Sequence, residues 1–189
     1  MLPGALAAGL WLGWRAVRAP VLRQPLALSS AVGLVVWVAG GFGLGLNQQR
    51  DVPDVPLQSL SAAAEPQQAR LAELARGRPT VIALWASWCG VCHQQMPHWA
   101  AAQQRQPDVQ VLFINQGEDA ARAQAYLQQQ GLGVRQVWLD AASRTGPAVG
   151  SLGLPTTLFY NAQGQLVHRQ VGLISPPALA SRLRDLTPP

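Results

Sequence analysis

The stretch Trp88-Cys89-Gly90-Val91-Cys92 contains the only two cysteines of this chain. The apolar run before it, residues 81–85, predicts a buried strand, and residues 93–99 predict the opening of a helix. A Cys-x-x-Cys at a strand-to-helix turn is the arrangement that dithiol and disulfide chemistry uses. Backbone N–H groups at the helix N-terminus favour a thiolate on Cys89. Cys92 lies one turn further along the helix, close enough to form a disulfide with it.

Three other interpretations of the cysteine pair are open at this point. A zinc site usually needs four ligands, so His93 and His98 would have to replace a second cysteine pair. A purely structural disulfide would close a very short loop, from which the chain-entropy model predicts little stabilisation. The run from Cys89 to His93 also matches the Cys-x-x-Cys-His pattern of covalent haem attachment, although so short a pattern is weak by itself. We favour a redox-active disulfide, with no metal and no cofactor.

The charged residues are few and scattered. The chain has 14 basic residues, all of them arginine, against nine acids, which gives a net charge of +5. Three arginines, Arg15, Arg18 and Arg23, precede the first long apolar stretch, and the others form no cluster. Nucleic-acid binding requires a basic patch or stripe, so this distribution argues against a nucleic-acid partner.

A long uncharged segment, residues 26–46, has about the length of a bilayer-spanning helix. The arginines before it predict that residues 1–25 form a short cytoplasmic or interfacial segment, by the positive-inside rule. The remainder would then lie on the periplasmic, extracytoplasmic side of a bacterial inner membrane. A cleaved signal peptide is the alternative, but its apolar region would be shorter, and residues 39–41 are a weak cleavage site. We therefore predict a single retained anchor in the lipid bilayer.

Beyond the anchor the sequence predicts a linker and one domain. Residues 47–66 contain prolines, small residues and no clear period, which is typical of a linker. The domain covers residues 67–189. The predicted helices are 65–76, 92–106 with a kink at Pro97, 118–130, 145–152 and 176–186, and the predicted strands are 81–85, 109–115, 134–139, 156–160 and 166–171. This order predicts an α/β fold, a mixed sheet with helices on both faces.

Two distant motifs resemble those of the thioredoxin fold. The first is Trp85-Ala86-Ser87-Trp88-Cys89-Gly90-Val91-Cys92 followed by Met96-Pro97, and the second is Gly153-Leu154-Pro155-Thr156-Thr157. Over residues 67–186 the chain is similar to the membrane-anchored TlpA/ResA-type reductases and to the DsbE/CcmG proteins of cytochrome c maturation. The predicted anchor and linker fit the same group. The resemblance implies a thioredoxin-like domain with thiol-disulfide oxidoreductase activity.

The resemblance also implies roles for individual residues. Cys89 matches the attacking cysteine, Cys92 the buried resolving cysteine, and Trp88 the tryptophan that flanks the disulfide. Pro155 matches a proline whose preceding peptide bond is cis and faces the disulfide, whereas by itself it would be read as an ordinary strand-entry proline. The cis arrangement would expose the backbone of Leu154 to an extended substrate segment.

The chain departs from the family pattern around the cysteines. Ala83 stands where thioredoxins carry a buried aspartate, and Gln95 stands where TlpA/ResA-type proteins often carry a glutamate. Gln95 forms hydrogen bonds but does not titrate, which leaves His93 as the nearest titrating candidate to accept the Cys92 proton. Between the cysteines, Gly90 and Val91 are expected to support the site or face the substrate. Val91 replaces a frequent proline and adds an N–H that would favour a thiolate on Cys89.

The favoured hypothesis is a membrane-tethered reductase that exchanges disulfides with protein thiols. Its oxidised form would have to be reduced again, because extracytoplasmic compartments are oxidising. The resemblance implies a membrane electron donor of the DsbD/CcdA kind. Two alternatives are an oxidase that donates its disulfide to substrates and a tethered binding or sensor module without turnover.

Overall fold

The computed structural model describes residues 51–60 and 67–187, which build one sheet with helices against it. The elements in chain order are β1 (Pro56–Ser59), β2 (Gln68–Arg70), α1 (Leu71–Leu74), β3 (Thr80–Trp85), α2 (Gly90–Arg105), β4 (Gln110–Gln116), α3 (Ala120–Gln130), β5 (Val137–Asp140), α4 (Thr145–Ala148), β6 (Thr156–Tyr160), β7 (Leu166–Val171) and α5 (Pro176–Leu186). The sheet order is β2-β1-β5-β4-β3-β6-β7. Strands β3, β4 and β5 are parallel to one another, and the other neighbours are antiparallel. The predicted mixed α/β sheet is confirmed.

Both faces of the sheet are buried, as the alternation along β3 shows. Val81, Ala83 and Trp85 belong to one apolar cluster, which includes residues of α2, α3 and α5. Ile82 and Leu84 belong to a second cluster, which includes Leu71 of α1. Because successive side chains of a strand point to opposite faces, a fully apolar strand requires cover on both sides. The prediction of helices on both faces is therefore confirmed.

Three chain segments meet at one edge of the sheet beside β3. Strands β3 and β4 are parallel, so their carboxyl ends lie together. Strand β6 is antiparallel to β3, and its first residue, Thr156, pairs with Leu84 near the end of β3. The loops after β3 and β4 and the loop before β6 therefore converge, and this convergence places the two sequence motifs side by side.

The predicted linker over residues 47–66 is wrong where it includes β1. Residues 56–59 pair antiparallel with both β2 and β5, and Leu57 is only 1% exposed. A four-residue strand with a single fully buried side chain is too short to show the alternation by which strands are recognised. Residues 56–59 are therefore a strand because they pair with β2 and β5, not because of their local sequence.

The predicted helix over residues 65–76 is mostly absent from the described part of the chain. Residues 68–70 form β2, which pairs with β1, and the helix α1 is limited to Leu71–Leu74. Pairing with β1 outweighs the helical preference of the alanines and glutamines. Gly77, with φ of 76°, follows the helix in the left-handed region that favours glycine.

The other boundaries differ by a few residues. Strand β5 begins at Val137 instead of residue 134, after Gln136 with a φ of 59°. Helix α3 begins after Asp119, whose side chain accepts a hydrogen bond from the Arg122 N–H at 2.8 Å and so caps it. Helix α4 ends at Ala148. The predicted anchor, residues 26–46, lies outside the described residues, and in residues 51–60 and 67–187 no helix has the length and apolar character needed to cross a bilayer.

Candidate active site

The two cysteines form a disulfide at the start of α2. The Cα atoms of Cys89 and Cys92 are 5.2 Å apart, and Cys89 is the N-cap residue of the helix. Cys92 is completely buried, whereas Cys89 is 6% exposed. Of the two cysteines, Cys89 is therefore the one with exposed surface.

Helix α2 directs a backbone donor at the accessible sulfur. The Cys92 N–H donates to Cys89 Sγ at 3.2 Å. The sequence predicted the Val91 N–H for this role, but among the described residues the donor to Cys89 Sγ is the Cys92 N–H. The Val91 side chain is exposed beside the disulfide. A donor and a helix N-terminus both stabilise negative charge on sulfur, so the turn favours a Cys89 thiolate when the pair is reduced. Gly90 is exposed, and a Cβ added there would meet nothing within 4 Å.

The second motif lies next to the cysteine turn. The Leu154–Pro155 peptide bond is cis, as predicted. The Pro155 carbonyl accepts a hydrogen bond from the Gly172 N–H at 2.8 Å, which joins the loop before β6 to the end of β7. Leu154 is half-buried and precedes the first ladder pair of β6, so its backbone lies outside both strand ladders.

Exposed apolar side chains surround this site. Trp88 is 66% exposed and Leu152 is 94% exposed. Both line a cavity of about 220 Å³ together with Leu154, Gly153 and Gln116. Because Trp88 directly precedes Cys89, this cavity adjoins the disulfide, and its exposed tryptophan and leucine form a surface suited to an apolar chain segment.

Gln95 lies in the core one turn after Cys92. Its side chain is fully buried, and its Oε1 accepts a hydrogen bond from the Ile174 N–H at 2.8 Å. Its Nε2 has no partner among the described residues. Ala83 is also fully buried, in the middle of β3. Neither position therefore supplies a titrating group to Cys92.

His93 turns toward the loop before the cysteines. Its Nε2 lies 2.8 Å from the Ser87 carbonyl oxygen, and its ring packs on Tyr126 with centroids 4.8 Å apart. A carbonyl oxygen only accepts, so Nε2 carries a proton and Nδ1 is the ring atom left to accept one. Burial raises the pKa of the Tyr126 phenol above its usual value of 10.0.

One acid at the site was missed by the sequence reasoning. Glu118 is buried, and its carboxylate accepts hydrogen bonds from the Ser87 N–H at 2.7 Å, from the Ser87 hydroxyl and from Asn115 Nδ2 at 2.6 Å. In the sequence Glu118 resembles the first acid of an amphipathic helix. The available signal was its position, because the carboxyl ends of adjacent parallel strands meet at one edge of a sheet.

Comparison with known proteins agrees with this geometry. The family model described as Redoxin matches residues 48–183, which is well over half of the chain. The chain belongs to the Redoxin family. The match begins before β1, which is consistent with β1 as part of the domain.

Several curated proteins resemble this redoxin at moderate identity. It is 23% identical over 137 residues to the thiol:disulfide interchange protein HelX of Rhodobacter capsulatus, covering 72% of this chain and 75% of that protein. It is 25% identical over 137 residues to DsbE of Escherichia coli, covering 72% of each. To DsbE of Allochromatium vinosum it is 26% identical over 168 residues, covering 86% of this chain and 90% of that protein.

Solved structures share the fold. A thiol:disulfide interchange protein DsbE from Chlorobium tepidum superposes with a TM-score of 0.63 at 22% identity, covering 72% of this chain and 95% of the other. The redoxin described here is a thiol-disulfide oxidoreductase with Cys89 and Cys92 as its cysteine pair. The relationship to DsbE-type proteins, which the two motifs implied, is confirmed, and HelX is a further relative of the same type.

Proposed function

We propose that this redoxin is a membrane-tethered, extracytoplasmic reductase of protein disulfides. The observation that carries the proposal is the asymmetry of the pair, a fully buried Cys92 behind a partly accessible Cys89. Such a pair presents one sulfur to a substrate and keeps the other for the second step. The exposed Trp88 and Leu152 beside it provide contact area for a polypeptide.

The reaction proceeds by two thiol-disulfide exchanges. The Cys89 thiolate attacks one sulfur of a substrate disulfide, and the second substrate sulfur leaves and takes up a proton. Cys92 then loses its proton and attacks Cys89, which forms the Cys89–Cys92 disulfide and releases the first substrate sulfur as a thiol. Two electrons and two protons pass from the protein dithiol to the substrate.

The surrounding residues hold the substrate and the pair in place. Trp88 and Leu154 line one cavity, where Trp88 and the backbone of Leu154 contact an extended substrate segment, and Gly90 leaves open space beside Cys89. Val91 adds exposed apolar surface beside the disulfide, and the buried Pro155, through its cis peptide bond, fixes the backbone of Leu154. Gln95 fixes α2 to the loop before α5 through Ile174.

The cellular setting of the proposal comes from the sequence and from relatives. Residues 26–46 anchor the domain in the inner membrane, with the domain on the periplasmic side. A membrane donor of the DsbD/CcdA type returns electrons to the pair, and the common anchoring raises the effective concentration of the two partners. Cytochrome c maturation is the process proposed for its substrates, because the DsbE/CcmG group resembles this chain.

A trapping experiment tests the catalytic role. Cys92→Ala removes the resolving sulfur, so mixed disulfides on Cys89 should accumulate when the full-length variant is expressed and its thiols are blocked. Cys89→Ala serves as the matched control, since the remaining sulfur is buried, and it should trap nothing. Several distinct adducts indicate an enzyme acting on proteins. The absence of adducts with Cys92→Ala would contradict the proposal, and a single adduct would favour a sensor with one dedicated partner.

A further inference from the structure

The strongest unassigned feature near the disulfide is the buried carboxylate of Glu118. Its oxygens accept hydrogen bonds from the N–H and the hydroxyl of Ser87 and from Nδ2 of Asn115. All three partners are donors, and an ionised carboxylate only accepts hydrogen bonds. The site is therefore built for a carboxylate in its charged form.

This carboxylate is attached to the active-site loop itself. Ser87 precedes Cys89 by two residues, and two residues span at most about 7 Å. Because the carboxylate lies 2.7 Å from the Ser87 nitrogen, it is within about 10 Å of the Cys89 backbone. The opposite end of Ser87, its carbonyl, is held by His93 of α2. Glu118 thus fixes the segment that leads into the cysteine pair.

We propose that Glu118 is a positioning residue for Cys89. The negative charge of the Glu118 carboxylate disfavours the Cys89 thiolate and so makes the dithiol a stronger electron donor. This inference rests on the proposed reductase function and adds a residue that increases the tendency of the dithiol to give up electrons. A thiolate near a negative charge is less stable, so the reduced pair gives up its electrons more readily.

Other charges near Glu118 are arranged differently. Asp119, Asp140 and Arg144 line the same cavity of about 450 Å³. Asp119 is exposed and caps α3 through the Arg122 N–H. The Asp140 carboxylate accepts hydrogen bonds from the backbone N–H groups of Arg144 and Thr145 and from the side-chain amide of Gln116. On the α2 side, the ring of His93 bonds the Ser87 carbonyl. Among these groups, Glu118 is the acid bonded directly to the cysteine loop.

The size of the effect follows from Coulomb's law. The thiolate charge is on the sulfur, which lies beyond the Cys89 backbone, so we take a separation of about 10 to 13 Å; two charges that far apart at an effective dielectric constant near 20 change a pKa by about one unit. The same interaction in bulk water would change it by about 0.3 unit. Glu118 is buried, so we expect a change of about 0.5 to 1 unit for Cys89.

The test compares three variants of the full-length protein. Glu118→Gln is isosteric. The introduced amide can accept hydrogen bonds from Ser87 N–H and Asn115 through Oε1 and donate one to the Ser87 hydroxyl through Nε2. The substitution therefore removes the charge and keeps the contacts. Ser87→Ala keeps the charge and removes one donor that partly neutralises it. Asp119→Asn is the matched control, because it removes the neighbouring exposed charge. The pKa of Cys89 is measured from the pH dependence of alkylation, and the redox equilibrium is measured against glutathione.

The variants should separate charge from structure by the sign of their effects. Glu118→Gln should lower the pKa of Cys89 by about 0.5 to 1 unit and shift the glutathione equilibrium several-fold toward the dithiol, whereas Ser87→Ala should raise that pKa slightly. Asp119→Asn should stay within about twofold of wild type. Shifts of the same sign in the Glu118 and Ser87 variants, or a Glu118→Gln equilibrium within that twofold range, would overturn the inference. If Glu118→Gln does not fold, the Ser87→Ala variant tests the inference alone: a raised pKa of Cys89 supports it, and a lowered pKa contradicts it. A wild-type pair that does not exchange with glutathione would instead refute the proposed function.

Discussion

At the scale of single residues, Gln95 connects the cysteine-bearing helix to the loop before α5. Its buried Oε1 is the acceptor for the Ile174 N–H. Gln95→Ala should lower the free energy of unfolding by about 1 to 3 kcal/mol, because a buried backbone donor loses its partner. Urea unfolding of the oxidised protein measures this. Gln94→Ala, on the exposed side of the same helix, is the control and should change stability by less than about 0.5 kcal/mol. Equal effects of the two substitutions would contradict this account of Gln95.

His168 makes stability depend on pH. Burial and the nearby Arg182 lower the pKa of His168 from its usual value of 6.5, although Asp185 opposes them. Below pH 6.5 the unfolded chain therefore binds this proton more readily than the folded chain, and stability falls as the pH falls. His168→Gln should lose less stability than wild type between pH 7.5 and pH 5 in urea unfolding. An identical loss in both proteins would show that His168 does not contribute.

At the scale of elements, β1 is part of the core and not a linker. Leu57 of β1 is almost completely buried as part of the second apolar cluster. Leu57→Ala should therefore cost about 2 to 5 kcal/mol of unfolding free energy. Gln58→Ala, on the opposite face of the same strand, should have a much smaller effect. If chemical denaturation gave the same midpoint for Leu57→Ala and wild type, β1 would not be packed as described.

The elements also show how far local sequence determines this fold. Strand β3, helix α2 and the β6–β7 hairpin were predictable, because a continuous apolar run, a helix-opening cysteine turn and a short, mostly polar connection of five residues are local signals. Strands β1 and β2 were not, because β1 shows no strand pattern of its own and the residues of β2 favour a helix, so only their pairing makes them strands. Glu118 was missed for a similar reason, since its contact with Ser87 depends on the parallel pairing of β3 and β4.

At the scale of the whole molecule, the fold brings three loops to one edge of the sheet and places there the cysteine pair, of which Cys89 alone has exposed surface. The carboxyl ends of β3 and β4 and the start of β6 supply Cys89, Glu118 and Pro155. The exposed Trp88 next to the disulfide gives this edge an apolar surface.

Trp88→Ala should reduce kcat/KM for a protein disulfide about tenfold, because the contact of a large aromatic side chain is lost. The same substitution should change the exchange rate with glutathione by less than about twofold. A parallel loss with both substrates would contradict a role for Trp88 in protein binding.

The central claim is that electrons flow outward through the Cys89–Cys92 pair to protein disulfides. Thiol trapping of the pair in intact cells, with and without the membrane electron donor, tests it most directly. The account predicts a reduced pair in cells that contain the donor and an oxidised pair in cells that lack it. A pair that is oxidised in both strains would contradict the reductase and favour an oxidase or a passive sensor.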